Sequence, residues 1–331
     1  MSRIVRFHEL GGPEVLRIED VPTQQPKGGE VRLGVQTIGL NRAEFMFMHG
    51  YYLEPTKLPA TLGYEAAGVV TAVGAGVDPA WLNKSVSTIP SFSMNQYGVL
   101  GDEVVVPVHA VAEYPAKLDS KEATSIWMQY MTAYGALLEF GQLKKGEFVL
   151  ITAASSSVGL AAIETVKAEQ AISIAATRKS DKRAELLALG ADHVIVTEEE
   201  DLVARVQAIT HGTGARIILD PIAGPLLEKL AEAAAPGATI FEYGWLSLAP
   251  SPFPILPALT KALSIRGYWL PEIVFHPERF ARAKRYVYDH VKDSRFQPKI
   301  ARTFRFEDVV KAYQYMELSE QIGKIVLTVA H

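Results

Sequence analysis

Cysteine is absent from the 331 residues. That excludes disulfides and thiolate metal sites, and it suits a cytoplasmic protein. Positive charge is not in excess either: Lys and Arg total 33 against 37 Asp and Glu, a net charge of −4. Nucleic-acid binding calls for clustered Lys and Arg, so no nucleic-acid partner is expected. No run approaches the roughly 18 apolar residues of a membrane span. No charged start followed by an apolar stretch reads as a secretory leader. The expectation is a cytoplasmic chain with no membrane association. Its length is more than one hydrophobic core comfortably serves, so two domains are expected.

What is present falls into two patterns. Before residue 121 the chain reads as short strands, with Val- and Ile-rich runs at 31–38, 67–73 and 103–108. Gly28, Gly29, Gly74, Gly76 and Pro90 punctuate them, an all-β pattern. Beyond residue 121 the period changes. Strands are expected at 148–152, 171–177, 194–196, 216–220 and 238–244, with helices at 158–170, 180–190, 200–209 and 225–235. This alternation calls for parallel strands joined by helical crossovers. A further strand is expected at 263–270, helices at 277–293 and 306–319, and a final strand at 324–329.

Glycine is scarce where it matters most. The connection "AASSSVG" at 153–159 joins an apolar strand to an amphipathic helix and keeps only Gly159. Dinucleotide-binding turns carry several glycines, which let backbone N–H groups approach a pyrophosphate at a helix N-terminus. Two readings stay open. Ser156, Ser157, Val158 and Gly159 form a phosphate-binding turn built on serines, or the serines simply cap a helix. At the end of the second strand an NAD site places Asp or Glu. This chain has Thr177 and Arg178, with Lys182 following. A carboxylate would repel a ribose 2′-phosphate, whereas Arg grips one with its planar fork. The alternative is a solvated basic loop; the reading favoured is NADP(H).

Several stretches, in order, resemble the medium-chain dehydrogenase/reductases, in the zinc-independent quinone oxidoreductase (zeta-crystallin-like) branch. They are "ELGGPEVLRIEDVP" at 9–22, "GLNRAEFMFMHGYY" at 39–52 and "LPATLGYEAAGVVTAVGAGV" at 58–77. "MTAYGAL" at 131–137, "LKKGEFVLITAASSSVG" at 143–159, "LGADHVI" at 189–195 and "IGKIVL" at 322–327 follow. The resemblance covers nearly the whole chain. It implies an α/β architecture: a GroES-like β domain plus a Rossmann doubly wound parallel-sheet domain. The expected organisation is 1–121 GroES-like, 122–270 Rossmann and NADP-binding, and 271–331 a return to the first domain. A cofactor in the interdomain cleft is implied.

The resemblance also carries residue roles. Asn41 matches an asparagine near the nicotinamide ribose, and Tyr52 a cleft tyrosine able to polarise an acceptor carbonyl; Tyr51 beside it competes for that place. Glu44 stands where the family usually has Asp. Thr132 matches a threonine at the cofactor. The backbone of Tyr243, Gly244 and Trp245, at a strand end, is implied beside the nicotinamide, and Lys324 reaches cofactor or solvent. The positions that hold catalytic zinc in relatives fall on Asn41, Tyr64 and about Met128, with Glu65 alone remaining; Asn, Tyr and Met are poor zinc ligands, so no metal is expected. His49 reads as a surface or cleft-lining residue, and His193 as structural. Without a Lewis acid, the expected chemistry is hydride transfer from NADPH to a quinone or α,β-unsaturated carbonyl, with Asn41 and Tyr52 catalytic. A 2-enoyl-thioester reductase and a non-catalytic, crystallin-like NADPH binder are the alternatives. A homodimer joined through strand 263–270 is expected.

Overall fold

The computed structural model describes residues 1–330. The chain opens with β1 (Ser2–Phe7), β2 (Arg17–Val21) and β3 (Glu30–Gly39), then helix α1 (Arg42–Met48). Strands β4 (Ala60–Thr61), β5 (Glu65–Val73), β6 (Ser85–Thr88), β7 (Glu103–Pro107) and β8 (Val111–Glu113) follow, with the short helix α2 (Ser120–Ala123). Helix α3 (Trp127–Tyr134) runs on into a π-helical stretch, Gly135–Phe140. Strand and helix then alternate: β9 (Phe148–Ile151), α4 (Ser157–Ala168), β10 (Ile172–Thr177), α5 (Arg183–Ala188), β11 (His193–Val196) and α6 (Leu202–Ile209). The series continues with β12 (Ala215–Asp220), α7 (Leu226–Ala233), β13 (Ala234–Glu242), α8 (Ile255–Lys261) and β14 (Ser264–Gly267). Helices α9 (Pro271–Val274) and α10 (Pro277–Lys292), strand β15 (Ile300–Arg305), helix α11 (Val309–Leu318) and strand β16 (Lys324–Thr328) complete it.

The chain divides into two compact units. One contains Met1–Met128 and the segment from Pro298 onward; the other is Gln129–Gln297. The return to the first unit therefore comes at 298, not at the expected 271. The reason is packing. Phe296 stacks on Tyr130 with ring centroids 4.5 Å apart, and Tyr286 meets Tyr134 at 5.2 Å. The helical segment 271–297 thus packs Tyr286 and Phe296 against α3 of the second unit. The first boundary lies at 128 instead of 121. The Trp127 indole donates to Ser87 at 2.8 Å, and the Met128 N–H donates to Glu65 at 2.8 Å, both inside the first unit.

In the first unit, β1 pairs antiparallel with β2 and β4. A seven-stranded sheet runs β15-β16-β3-β5-β6-β8, with β7 on β3. Its inner face buries Val31, Leu33, Val35, Val70 and Val86 with Phe306 and Tyr313. The all-β expectation missed α1. Arg-Ala-Glu-Phe-Met-Phe-Met has good helix formers. Asn41 is extended at φ −129, ψ 149, and the Glu44 carboxylate accepts its N–H at 2.8 Å, as in a capping box.

In the second unit all six strands are parallel, in the order β11-β10-β9-β12-β13-β14. This is the doubly wound sheet expected. Chain direction across the sheet reverses between β9 and β12, the switch point outside which such sheets bind ligands. Leu150, Ile174, Ile195, Ile218 and Ile240 pack against Leu202, Val206, Leu227 and Leu230 of α6 and α7. β14 stops at Gly267, short of 270, because Leu270 already leads into α9, whose Pro271 favours a first helical turn.

Candidate functional site

The serine turn sits at the C-terminal end of β9, next to the switch point. Ala153 turns the chain with φ at 45°. Ser156 is extended and its Oγ accepts the Gly159 N–H at 3.0 Å, so it is the N-cap of the twelve-residue α4. Gly159 is needed for another reason: a Cβ there would lie 2.5 Å from the Ala154 carbonyl oxygen. The helix therefore starts close against the strand, and its first N–H groups lack partners within the helix. Ser157 and Val158 are half-buried at that start.

Four basic residues follow β10, and the structure divides them. Arg183 Nη2 pairs with Glu200, which Arg205 also holds at 2.9 Å. The Lys182 ammonium donates to Ser155 Oγ at 3.1 Å, joining this loop to the serine turn. Arg178 and Lys179 are exposed, and the Arg178 guanidinium has no ion pair or hydrogen bond among the described residues. Thr177 ends the strand buried, its carbonyl accepting the Thr197 N–H at 2.8 Å.

Across the switch point, Thr152 of the serine turn's approach donates to buried Asp220 at the end of β12. Asp220 stands beside Glu242 of β13 in register. Burial first, and Asp220 second, push the Glu242 carboxyl above the usual carboxylate range. Strand β13 ends at Glu242, so Tyr243, Gly244 and Trp245 form the loop beyond it, not the strand end expected. A Cβ at Gly244 would meet the Pro221 carbonyl oxygen at 2.7 Å, so the two loops after β12 and β13 touch through backbone. The Tyr243 hydroxyl is buried beside Ser156, and burial first, then Asp220, raises its ionisation range. Trp245 is 42% exposed and donates its indole N–H to the Ala249 carbonyl at 2.8 Å. Thr132 is buried within α3.

The first unit holds a buried charged cluster. Glu65 is fully buried and Lys324 is 1% exposed; the two form an ion pair. The Lys324 ammonium also donates to Asn41 Oδ1 at 2.5 Å. The Asn41 amide donates toward Gly39 O, Glu44 Oε1 and Glu65 Oε2, each at 3.2 Å. Glu44 accepts from the Tyr64 N–H at 3.1 Å and from the Tyr313 hydroxyl at 2.7 Å as well. Burial raises the Glu44 carboxyl, while these donors oppose that effect. Lys324 thus reaches neither solvent nor open surface, a correction with a plain cause: a buried Glu65 carboxylate demands a counter-charge. Asn41 is likewise consumed by its neighbours. Tyr313 went unforeseen because it meets Glu44 from 269 residues away. One local signal was available: Glu44, Phe47 and Met48 share the buried stripe of α1.

Two tyrosines adjoin this cluster. Tyr52 is half-buried, edge-on to Phe47 with centroids 6.2 Å apart, and its hydroxyl accepts from Tyr64 at 3.3 Å. Burial keeps both phenols protonated far into alkali. Tyr51 points away, 47% exposed and stacked on His49 at 5.6 Å. His49 is itself tied to the Phe45 carbonyl at 2.9 Å. Among the described residues, no three His, Cys, Asp or Glu side chains group so as to hold a metal ion, and no helix is long and apolar enough to cross a membrane.

Residues 27–153 match the alcohol dehydrogenase GroES-like domain family, and residues 157–294 match the zinc-binding dehydrogenase family. The first match begins in the first unit and runs on through β9, and the second lies wholly within the second unit. The chain belongs to the medium-chain dehydrogenase/reductase superfamily, in its quinone oxidoreductase branch. It is an oxidoreductase of that family. Over 99% of its length it is 27% identical to a quinone oxidoreductase of Lama guanicoe, covering 97% of that protein. It is 28% identical to a synaptic vesicle membrane protein VAT-1 homolog of Rattus norvegicus, over 96% of this chain and 82% of that one. It is also 28% identical to a phenolphthiocerol/phthiocerol polyketide synthase protein of Mycobacterium tuberculosis, over 98% of this chain, and spans 15% of that protein's length. Among solved structures, the Escherichia coli quinone oxidoreductase complexed with NADPH superposes with a TM-score of 0.89 at 25% identity, over 99% of this chain and all of that one.

Proposed function

We propose that this oxidoreductase transfers hydride from NADPH to a quinone or an α,β-unsaturated carbonyl, without a catalytic metal. The observation that carries the cofactor reading is the basic end of β10: Arg178 has no ion pair or hydrogen bond among the described residues, Lys182 is held at the serine turn, and Thr177 stands where NAD sites place an acid. The residues fit a 2′-phosphorylated dinucleotide. Arg178 and Lys182 would take the 2′-phosphate, and the first N–H groups of α4, at Ser157 and Val158, the pyrophosphate. Ser156 and Gly159 shape that turn. Thr132 and the loop Tyr243, Gly244 and Trp245 are the proposed contacts toward the nicotinamide. The Escherichia coli relative, solved in complex with NADPH, supports this reading.

Metal independence rests on ligand chemistry. Asn41, Tyr64 and Met128 are poor ligands for zinc, and Glu65 is committed to Lys324. Bound, the nicotinamide supplies the hydride. Tyr52 receives a hydrogen bond from Tyr64, which leaves its own proton to donate to an acceptor oxygen as charge develops there. Asn41 and Lys324 act as positioning residues, setting the end of β3 and the start of α1. We further propose a cytoplasmic homodimer joined along β14.

Steady-state oxidation of NADPH and NADH with a panel of quinones and enones tests the reading. NADPH should be preferred by at least about 10-fold, and chelators should leave turnover intact. Arg178→Ala should weaken NADPH by about 1.5–3 kcal/mol, the range of a charge-assisted hydrogen bond, and NADH far less. Tyr52→Phe should cost more with enones than with quinones and spare NADPH affinity. Equal binding of the two nucleotides by the native protein overturns the cofactor assignment.

A further inference from the structure

The three serines of the turn do different work. Ser156 Oγ is spent on the Gly159 N–H, which caps α4. Ser157 is the first residue of the helix. Ser155 is the one whose hydroxyl reaches another element. It accepts from the Lys182 ammonium at 3.1 Å, across 27 residues of chain. A glycine at 155 would offer no such acceptor.

We infer that Ser155 is a positioning residue, whose hydroxyl holds the Lys182 ammonium at the serine turn so that it meets a monoester phosphate on the adenosine ribose. The inference rests on the NADPH reading above and explains what the serine at this position adds. A free lysine side chain loses rotamer freedom when it grips a phosphate. Lys182 is already ordered by Ser155, so less is lost on binding. Arg178, exposed on the residue after β10, supplies the second cation.

Titration calorimetry with 2′,5′-ADP and 5′-AMP tests this without turnover. The two fragments differ only in the 2′-phosphate. The native protein should bind 2′,5′-ADP at least tenfold tighter. Ser155→Ala should weaken 2′,5′-ADP three- to tenfold and leave 5′-AMP unchanged. Ser155→Thr, which keeps a hydroxyl, should restore most of the affinity. Lys182→Ala should cost more, and adding Ser155→Ala to it should cost nothing further. An unchanged 2′,5′-ADP affinity in Ser155→Ala, or an equal loss for both fragments, overturns the inference while the NADPH reading stands. Additive losses in the double variant overturn it as well. If the native protein does not prefer 2′,5′-ADP, the NADPH reading itself falls and the inference with it.

Discussion

At the scale of single residues, burial decided what each charge is for. Lys324 looks in the sequence like a cation free to meet a ligand. In the fold it neutralises Glu65, 259 residues away, with each side chain almost wholly out of water. Nothing near either position in the sequence announces the pair. Lys324→Met should therefore destabilise the protein by about 3–5 kcal/mol, because it leaves an uncompensated buried carboxylate. Urea denaturation followed by circular dichroism measures this. Lys324→Met combined with Glu65→Gln should recover much of the loss, since no lone charge then remains. A single variant as stable as the native protein would show that the pair contributes nothing to stability. Arg178 is the opposite case. Its position just after an apolar strand was enough to mark it, because Arg178 lies in the exposed loop that follows β10.

At the scale of elements, α4 shows how a correctly expected helix hides its special residue. Its periodicity places Leu160, Ile163 and Val166 inward. Glu164 reads as an ordinary solvated acid. Instead its Oε1 accepts the Gln297 N–H at 3.1 Å and its Oε2 accepts the Tyr130 hydroxyl. It thereby ties down both ends of the second unit, near Gln129 and at Gln297. Burial pushes this carboxyl up to about 7, against the pull of those two donors and of Lys167. The folded state then holds its proton more tightly than the unfolded chain. The stabilisation is complete below about pH 4.3, the unfolded value, and is lost as pH rises through about 7. The change amounts to at most about 4 kcal/mol. Thermal melts of the native protein should fall between about pH 4.5 and 7, and Glu164→Gln, which cannot ionise, should flatten that fall. An identical pH dependence in both proteins would count against a buried titrating Glu164. Because Glu242 titrates upward for similar reasons, some pH dependence should survive the substitution.

At the scale of the whole molecule, β14 and the helix before it matter most, because an edge strand and exposed apolar side chains lie close in the chain. β14 ends the parallel sheet with a free side, a template for pairing with another chain. Before it in sequence, α8 and its approach expose Phe253, Ile255, Leu256 and Leu259, the last two 73% and 74% accessible. These are large apolar groups to leave in water. In light scattering after size exclusion, the native protein should run at twice the 36.2 kDa chain mass. Leu256→Asp with Leu259→Asp should shift it to a monomer. A native monomer at micromolar concentration would remove the dimer proposal.

The sequence by itself determined where strand period gives way to alternation and which turn joins β9 to α4. It also marked the basic residues that follow β10. These are local properties: hydrophobic period, turn residues and neighbours in the chain select them before any long-range contact forms. The tertiary structure alone decided the rest. It placed the return to the first unit at Pro298, because Phe296 and Tyr286 stack on Tyr130 and Tyr134. It enclosed Lys324, Glu65, Asn41, Glu44 and Tyr313 in one network. It gave Ser155 to Lys182 and Ser156 to α4. Each of these outcomes joins residues that chain order alone does not pair, and a buried polar group takes whichever partner the fold brings within about 3 Å.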